Sequence, residues 1–209
     1  MRGWILNTPS TYSKRMSAAE SDERVETVVL DVLPNGRPDD DRPQSRKDPL
    51  AYALGVEEFG LYELTLSDDA HVLVGRRLVV EPRDARDEQI VAVRDVSYDD
   101  VSGAAQSELE YAVEELIEAN EERFVDFYDE AQPITLRLHQ LNLLPGIGKK
   151  LRNDILDERK REPFDSFEDI EERVSGLHHP KEVLVERITE ELRDDDLKYR
   201  IFARGESGE

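Results

Sequence analysis

Apolar positions along this chain recur with two different periods, and the change between them falls near residue 100. The run Val25-Glu26-Thr27-Val28-Val29-Leu30-Asp31-Val32-Leu33 is β-branched and partly alternating and ends at Pro34-Asn35-Gly36, which predicts a strand followed by a turn. Three further strands are expected over 59–66, over 72–81 with a kink at Gly75, and over 89–97. Short strands joined by polar turns, with no long helical period among them, predict a small closed or nearly closed barrel. Beyond residue 102 the period becomes helical. Leu109, Val113, Leu116, Ile117, Phe124 and Phe127 follow one another at helix spacing, with Glu114, Glu115, Glu118, Glu121 and Glu122 opposite, so one long amphipathic helix is expected over 102–132, opened by a capping box at Ser107-Glu108-Leu109-Glu110.

Pro133 is expected to start the next helix with Ile134, Leu136, Leu138 and Leu141 inward. A second helix runs from Lys150 through Leu151, Ile155 and Leu156 to about Arg161, where Pro163 stops it. Ser166 caps a helix carrying Phe167, Ile170 and Val174, and Ser175-Gly176-Leu177-His178-His179-Pro180 turns into a last one carrying Val183, Leu184, Ile188 and Leu192. The expected class is α+β. A floppy tail over 1–24, with Met16 as an alternative start, precedes a barrel over 25–101, a connecting helix over 102–132 and an all-helical domain over 133–204.

Charge changes the picture. Asp and Glu number 49 against 28 Lys and Arg, for a formal net charge of -21, and lysine is confined to Lys14, Lys47, Lys149, Lys150, Lys160, Lys181 and Lys198. Such a surface suits a molar-salt interior and resembles the composition of extreme halophiles. Within it, 137–161 is net positive: Arg137, Lys149, Lys150, Arg152, Arg159, Lys160 and Arg161 stand against Asp154, Asp157 and Glu158. Acidification that spares one neighbourhood points to an anion site. The absence of cysteine excludes disulfides and thiolate chemistry, no apolar run is long enough to span a bilayer, and a cytoplasmic location is expected.

The chemistry concentrates in Leu143-Leu144-Pro145-Gly146-Ile147-Gly148-Lys149-Lys150. Pro145 presets a turn, Gly146 can take positive φ, Gly148 admits a close neighbour, and Ile147 plugs the turn from inside. The helix that follows opens with unpaired N–H groups beside Lys149 and Lys150, with Arg152 nearby, and can hold a phosphate. The stretch resembles the helix-hairpin-helix family, whose hairpin grips nucleic-acid phosphates without reading bases; the plainer alternative is an ordinary helix–helix turn. The second turn is a degenerate copy in which Gly176 and Lys181 are weaker candidates.

A long loop over 35–50 carries Arg37, Arg42, Arg46 and Lys47, which can meet a strand crossing the barrel face, although Asp39, Asp40, Asp41 and Asp48 balance them. Phe124, Phe127 and Tyr128 are read as core, with base stacking the rarer use of such a group. His71, His139, His178 and His179 have no metal-ligand spacing, and no cofactor or metal is expected.

Barrel, acidic helix and paired glycine turns occur in that order with Asn35-Gly36-Arg37-Pro38, Asp41-Arg42-Pro43, Ser97-Tyr98-Asp99-Asp100 and Asn120-Glu121-Glu122-Arg123-Phe124-Val125. Together these resemble an uncharacterised archaeal family, the domain of unknown function 655, over about residues 25–204. The resemblance implies an OB- or S1-like N-terminal domain and an RNA- or nucleotide-binding role. The expected function is non-catalytic binding of nucleic acid, RNA or single strands before DNA duplex. The alternatives are a subunit of a nucleic-acid-processing enzyme and a protein adaptor docking on a ribosomal or transcription protein. Asp165 and Asp169 fall where a glycosylase would place its catalytic group, but no Walker loop, zinc set or two-metal acid cluster accompanies them.

Overall fold

The computed structural model describes residues 24–38, 41–43 and 47–204; the tail with its Met16 start, the aspartates at 39 and 40, and Arg46 lie outside the described residues. Five strands, β1 (Val25–Leu33), β2 (Leu50–Gly55), β3 (Leu61–Leu66), β4 (Arg77–Glu81) and β5 (Ile90–Asp95), form one antiparallel sheet in the order β4-β1-β2-β3-β5, curled into a half-barrel. Five helices follow: α1 (Gly103–Ala119), α2 (Glu121–Glu130), α3 (Lys149–Arg159), α4 (Phe167–Arg173) and α5 (Pro180–Arg193).

The two faces of the sheet bury different partners. Val29, Ala53, Leu64, Leu78 and Val80 gather in a small cluster of their own. Val28, Leu30, Tyr52, Leu54 and Leu61 join the helices in one continuous core that also takes in Leu109, Val113, Phe124 and Leu184. Residues that alternate between faces as the pleat dictates therefore divide between two cores. At β1 the register slips between Val29 and Asp31, and this bulge turns Asp31 to the helical side. There Ser102 Oγ donates to Asp31 Oδ2 at 2.5 Å and accepts from Ala105 N at 3.1 Å, so the cap of α1 is fixed by the sheet.

Several expectations change here. Leu50–Gly55 is a strand, the central one, where none was expected. Its Ala51 and Ala53 have little strand preference, and burial on both faces removes the alternation that marks a strand. The predicted strand over 72–81 narrows to β4, because 72–76 is a loop whose Gly75 N donates to Val29 O and whose Arg76 O accepts from Val29 N. Ser107 does not cap α1; it lies inside the helix and donates to Gly103 O at 2.8 Å.

The single helix expected over 102–132 is broken at Asn120, whose backbone leaves the helical region at φ -136 and whose Nδ2 takes Leu116 O at 3.3 Å. An asparagine that bonds a neighbouring carbonyl competes with the helix ladder. The break lets Arg123 donate to Glu57 Oε2 at 2.9 Å and to Glu57 O at 2.6 Å, while Phe124 packs on Phe59 with centroids 6.1 Å apart. Phe124 and Tyr128 are core, and Tyr128 OH donates to Pro180 O at 2.8 Å. Complete burial holds that hydroxyl protonated, far above the usual phenol range.

The largest correction is at Pro133, which starts no helix. Residues 133–139 form a tight hairpin closed by a bridge between Pro133 and His139, and only Gln140–Leu143 coil, as a 3-10 turn. Thr135 Oγ1 accepts from Leu138 N at 3.0 Å and Arg137 N at 3.3 Å, and Leu138 O accepts from Ile134 N at 2.8 Å and Thr135 N at 3.0 Å. The threonine thus satisfies locally the amides that a helix would have to engage.

Candidate nucleic-acid interface

The turn that leads into α3 is set from inside by three buried side chains, Leu141, Leu144 and Ile147. Ile147 N donates to Leu144 O at 3.2 Å, and Gly146 takes φ +75, a region that costs an ordinary L-residue about 1 kcal/mol. Gly148 differs. Its φ is -79, and a Cβ there would meet nothing within 4 Å, so the fold itself does not call for glycine at that position.

Gly148 is the N-cap of α3, and it has no side chain with which to engage the first amides of the helix. The first amide satisfied in the helix ladder is Arg152 N, which donates to Gly148 O at 3.0 Å. Among the described residues the amides of Gly146, Lys149, Lys150 and Leu151 have no acceptor. Gly148 itself is not among the donors: its N–H is engaged with Gly146 O at 3.1 Å, as that of Ile147 is with Leu144 O. The donor set moves one step into the helix, where the macrodipole is positive.

Lys149 and Lys150 are exposed and make no ion pair among the described residues, and Arg137 shares that state. The other cations of 137–161 are engaged. Lys160 pairs with Asp157 and Arg161 with Glu158, while Arg159 Nη1 donates to Tyr128 O and Ala131 O at 3.0 Å each. Arg152 braces the turn: its Nη1 donates to Asn142 Oδ1 at 3.0 Å, and Asn142 Nδ2 donates to Ile147 O at 3.1 Å. His139 Nδ1 caps the preceding 3-10 turn by accepting from Leu141 N at 3.2 Å. Burial, and then the charges of Arg159 and Arg152, hold its pKa below the ordinary histidine value, the direction that favours an accepting ring nitrogen.

A plain sequence signal outlines the whole region more sharply than the charge count over 137–161. From Ala131 to Asn153 there is no aspartate or glutamate, in a chain where those two types supply 49 of 209 residues.

The loop cations are placed differently. Arg37 Nε donates to Glu63 Oε2 at 2.7 Å, Arg94 Nη2 donates to Glu63 Oε1 at 3.1 Å, and Lys47 Nζ donates to Arg37 O at 3.2 Å. Glu63 is buried, so Arg37 serves first as its counter-charge. Arg42 is exposed and engaged, and Arg46 lies outside the described residues. In the second turn Lys181 is held by Glu114 at 2.7 Å and Glu118 at 2.5 Å. Among the described residues no helix is long and apolar enough to cross a membrane.

Known proteins share this geometry's framework. A family model described as "Protein of unknown function (DUF655)" matches residues 23–204, the sheet and all five helices included. The uncharacterized protein MJ0038 of Methanocaldococcus jannaschii is 38% identical over 181 residues, which span 86% of this chain and 80% of that protein. The crystal structure of Af1531 from Archaeoglobus fulgidus superposes with a TM-score of 0.78 at 39% identity, covering 86% of this chain and 99% of that one.

Proposed function

We propose that this chain, which belongs to the DUF655 family, is a non-catalytic nucleic-acid-binding protein that holds the phosphates of RNA or another single strand at the N-terminus of α3. In this reading 140–159 act as a helix-hairpin-helix whose first arm has shortened to a 3-10 turn, and the curled sheet is an OB- or S1-like platform beside it. The observation that carries the reading is one turn that combines four amides and two lysines without a partner among the described residues and a glycine with no internal reason to be glycine. Phosphate oxygens are the acceptors that suit such a set, and the missing Cβ at Gly148 leaves room for a sugar–phosphate chain to approach.

The acidic remainder of the chain is compatible with this if the protein works inside a cell at molar salt. The Debye length there is about 3 Å, so carboxylates elsewhere on the surface do not repel the strand. Counterion release weakens for the same reason, and short directional N–H···O bonds carry more of the affinity. In a filter-binding assay at that salt, Gly146→Val with Gly148→Val should abolish retention of single-stranded RNA while the thermal transition stays cooperative. Undiminished retention would remove the clamp. Labelled RNA incubated with the protein and magnesium should be recovered intact, and turnover would favour the enzyme alternative.

A further inference from the structure

We propose that the 133–139 hairpin is a second contact of the same interface, its tip residue Leu136 stacking on an unpaired nucleobase of the strand whose phosphates lie at the start of α3. The inference rests on the nucleic-acid reading and assigns it a base-contacting residue.

Leu136 is fully exposed, yet the chain around it is tightly tied. Besides the four bonds to Thr135 Oγ1 and Leu138 O, Gln140 N donates to Gln132 O at 3.0 Å and Gln132 N donates to Gln140 Oε1 at 2.6 Å. The bridge between Pro133 and His139 closes the base. A leucine fixed outward on so constrained a loop loses little conformational freedom when it is covered.

Three observations select a base as the cover. The acid-free stretch 131–153 carries the hairpin and the α3 turn without interruption, so neither contributes a carboxylate of its own to oppose a polyanion. Arg137, next to the tip, is exposed and unpaired among the described residues and can follow a phosphate. The flanking Thr135 and Arg137 are exposed polar residues, so the apolar area at the tip is one side chain wide. That is too small to anchor a protein partner, but single apolar side chains insert between bases readily. A continuous duplex must be unstacked before it can accept such a wedge, whereas every unpaired base offers a free face.

The test uses the full chain. In Trp4→Phe with Leu136→Trp, the introduced indole is the only tryptophan, since the native chain has one. Single-stranded oligoadenylate of about twelve nucleotides should quench its fluorescence, and a duplex of that length should quench it far less. Leu136→Ala should weaken binding of the single strand roughly three- to tenfold with little change for the duplex. Native binding of oligoadenylate with an unquenched indole, equal quenching by both probes, or an unchanged affinity of Leu136→Ala would each overturn the proposal while sparing the phosphate clamp. Failure of the unmodified protein to bind either probe would remove the nucleic-acid reading and this proposal with it.

Discussion

The turns at 144–150 and 174–181 are built alike inside and differ outside. Each has a glycine at positive φ, Gly146 at +75 and Gly176 at +94. Each closes with an amide reaching back three residues, Ile147 N to Leu144 O at 3.2 Å and Leu177 N to Val174 O at 3.1 Å, and each buries the apolar plug that follows the glycine. After the plug they part. The first turn continues through Gly148 into two lysines and three helical amides that have no partner among the described residues. The second continues through His179 at φ 52 into Pro180, which has no N–H, and Lys181 is taken by Glu114 and Glu118. The lesson is that the plug makes the turn, while the helix after it decides whether the neighbouring cation is committed to the rest of the fold. In α3 only Ile155 is fully buried, whereas α5 inserts Leu184, Ile188 and Leu192 together with a buried ion pair.

Breaking the second unit should have the largest effect, and on stability. Glu191 is completely buried, accepts from Arg187 Nε at 2.7 Å, and receives the amides of Ile201, Phe202 and Ala203 at 2.8 to 3.0 Å. Glu191→Ala leaves those amides without their acceptor and strips Arg187 of its buried counter-charge, leaving it Glu190 and the Tyr199 carbonyl, and should cost about 3–5 kcal/mol, read as a fall in the urea midpoint. If the midpoint barely moved, α5 would not be what holds the helical half together.

The first unit should respond in binding instead. Gly148→Ala keeps φ -79 and meets empty space, so stability should change by less than about 0.5 kcal/mol while affinity for single-stranded RNA falls roughly tenfold. Equal affinity would mean that nothing approaches that backbone.

Lys149→Ala with Lys150→Ala should sharpen the contrast further, lowering the slope of log affinity against log salt by roughly 1.4, or about 0.7 for each phosphate of a single strand that is no longer neutralised. Lys181→Ala should leave that slope unchanged, because its charge is already committed to α1.

The smallest effect expected is on pH. The folded pKa of His139 lies below its unfolded value of about 6.5, so the unfolded chain takes up the proton first as pH falls. Its contribution is full above about pH 6.5 and is lost as pH falls through that value toward the folded one. His139→Asn keeps a side-chain acceptor for Leu141 N without titrating. The gap in urea midpoint between the native protein and this variant should therefore shift in favour of the variant between pH 8 and pH 5, and a constant gap would refute the assignment.

Much of the frame was legible because its signals are local. The strand at 25–33, the stripe of α1, the Ser166 cap that accepts from Asp169 N at 3.1 Å, and the apolar face of α5 follow from spacing and side-chain chemistry alone. The plug and the glycine–lysine order of the first turn were legible for the same reason. Leu50–Gly55 was not, because a strand buried on both faces has no period of two to detect. The break at Asn120 was hidden by an apolar spacing that runs on through it to Phe124. At 133–139 the proline suits a helix start, and only the bonds to Thr135 Oγ1 and Leu138 O reveal the hairpin.

By itself the amino-acid sequence determined an α+β chain with strands first and helices after, a strongly acidic composition that spares the stretch 131–153, and a Gly-x-Gly-Lys-Lys turn within that stretch. These depend on neighbours a few positions apart, and patterning reaches that far. Only the tertiary structure decided which amides stay unengaged, that Arg152 braces the turn through Asn142, that Arg37 neutralises Glu63, and that Lys181 belongs to α1. Each of these turns on which group wins a donor or a charge brought to it by folding, and that competition is settled by distance in space, which spacing along the chain does not encode.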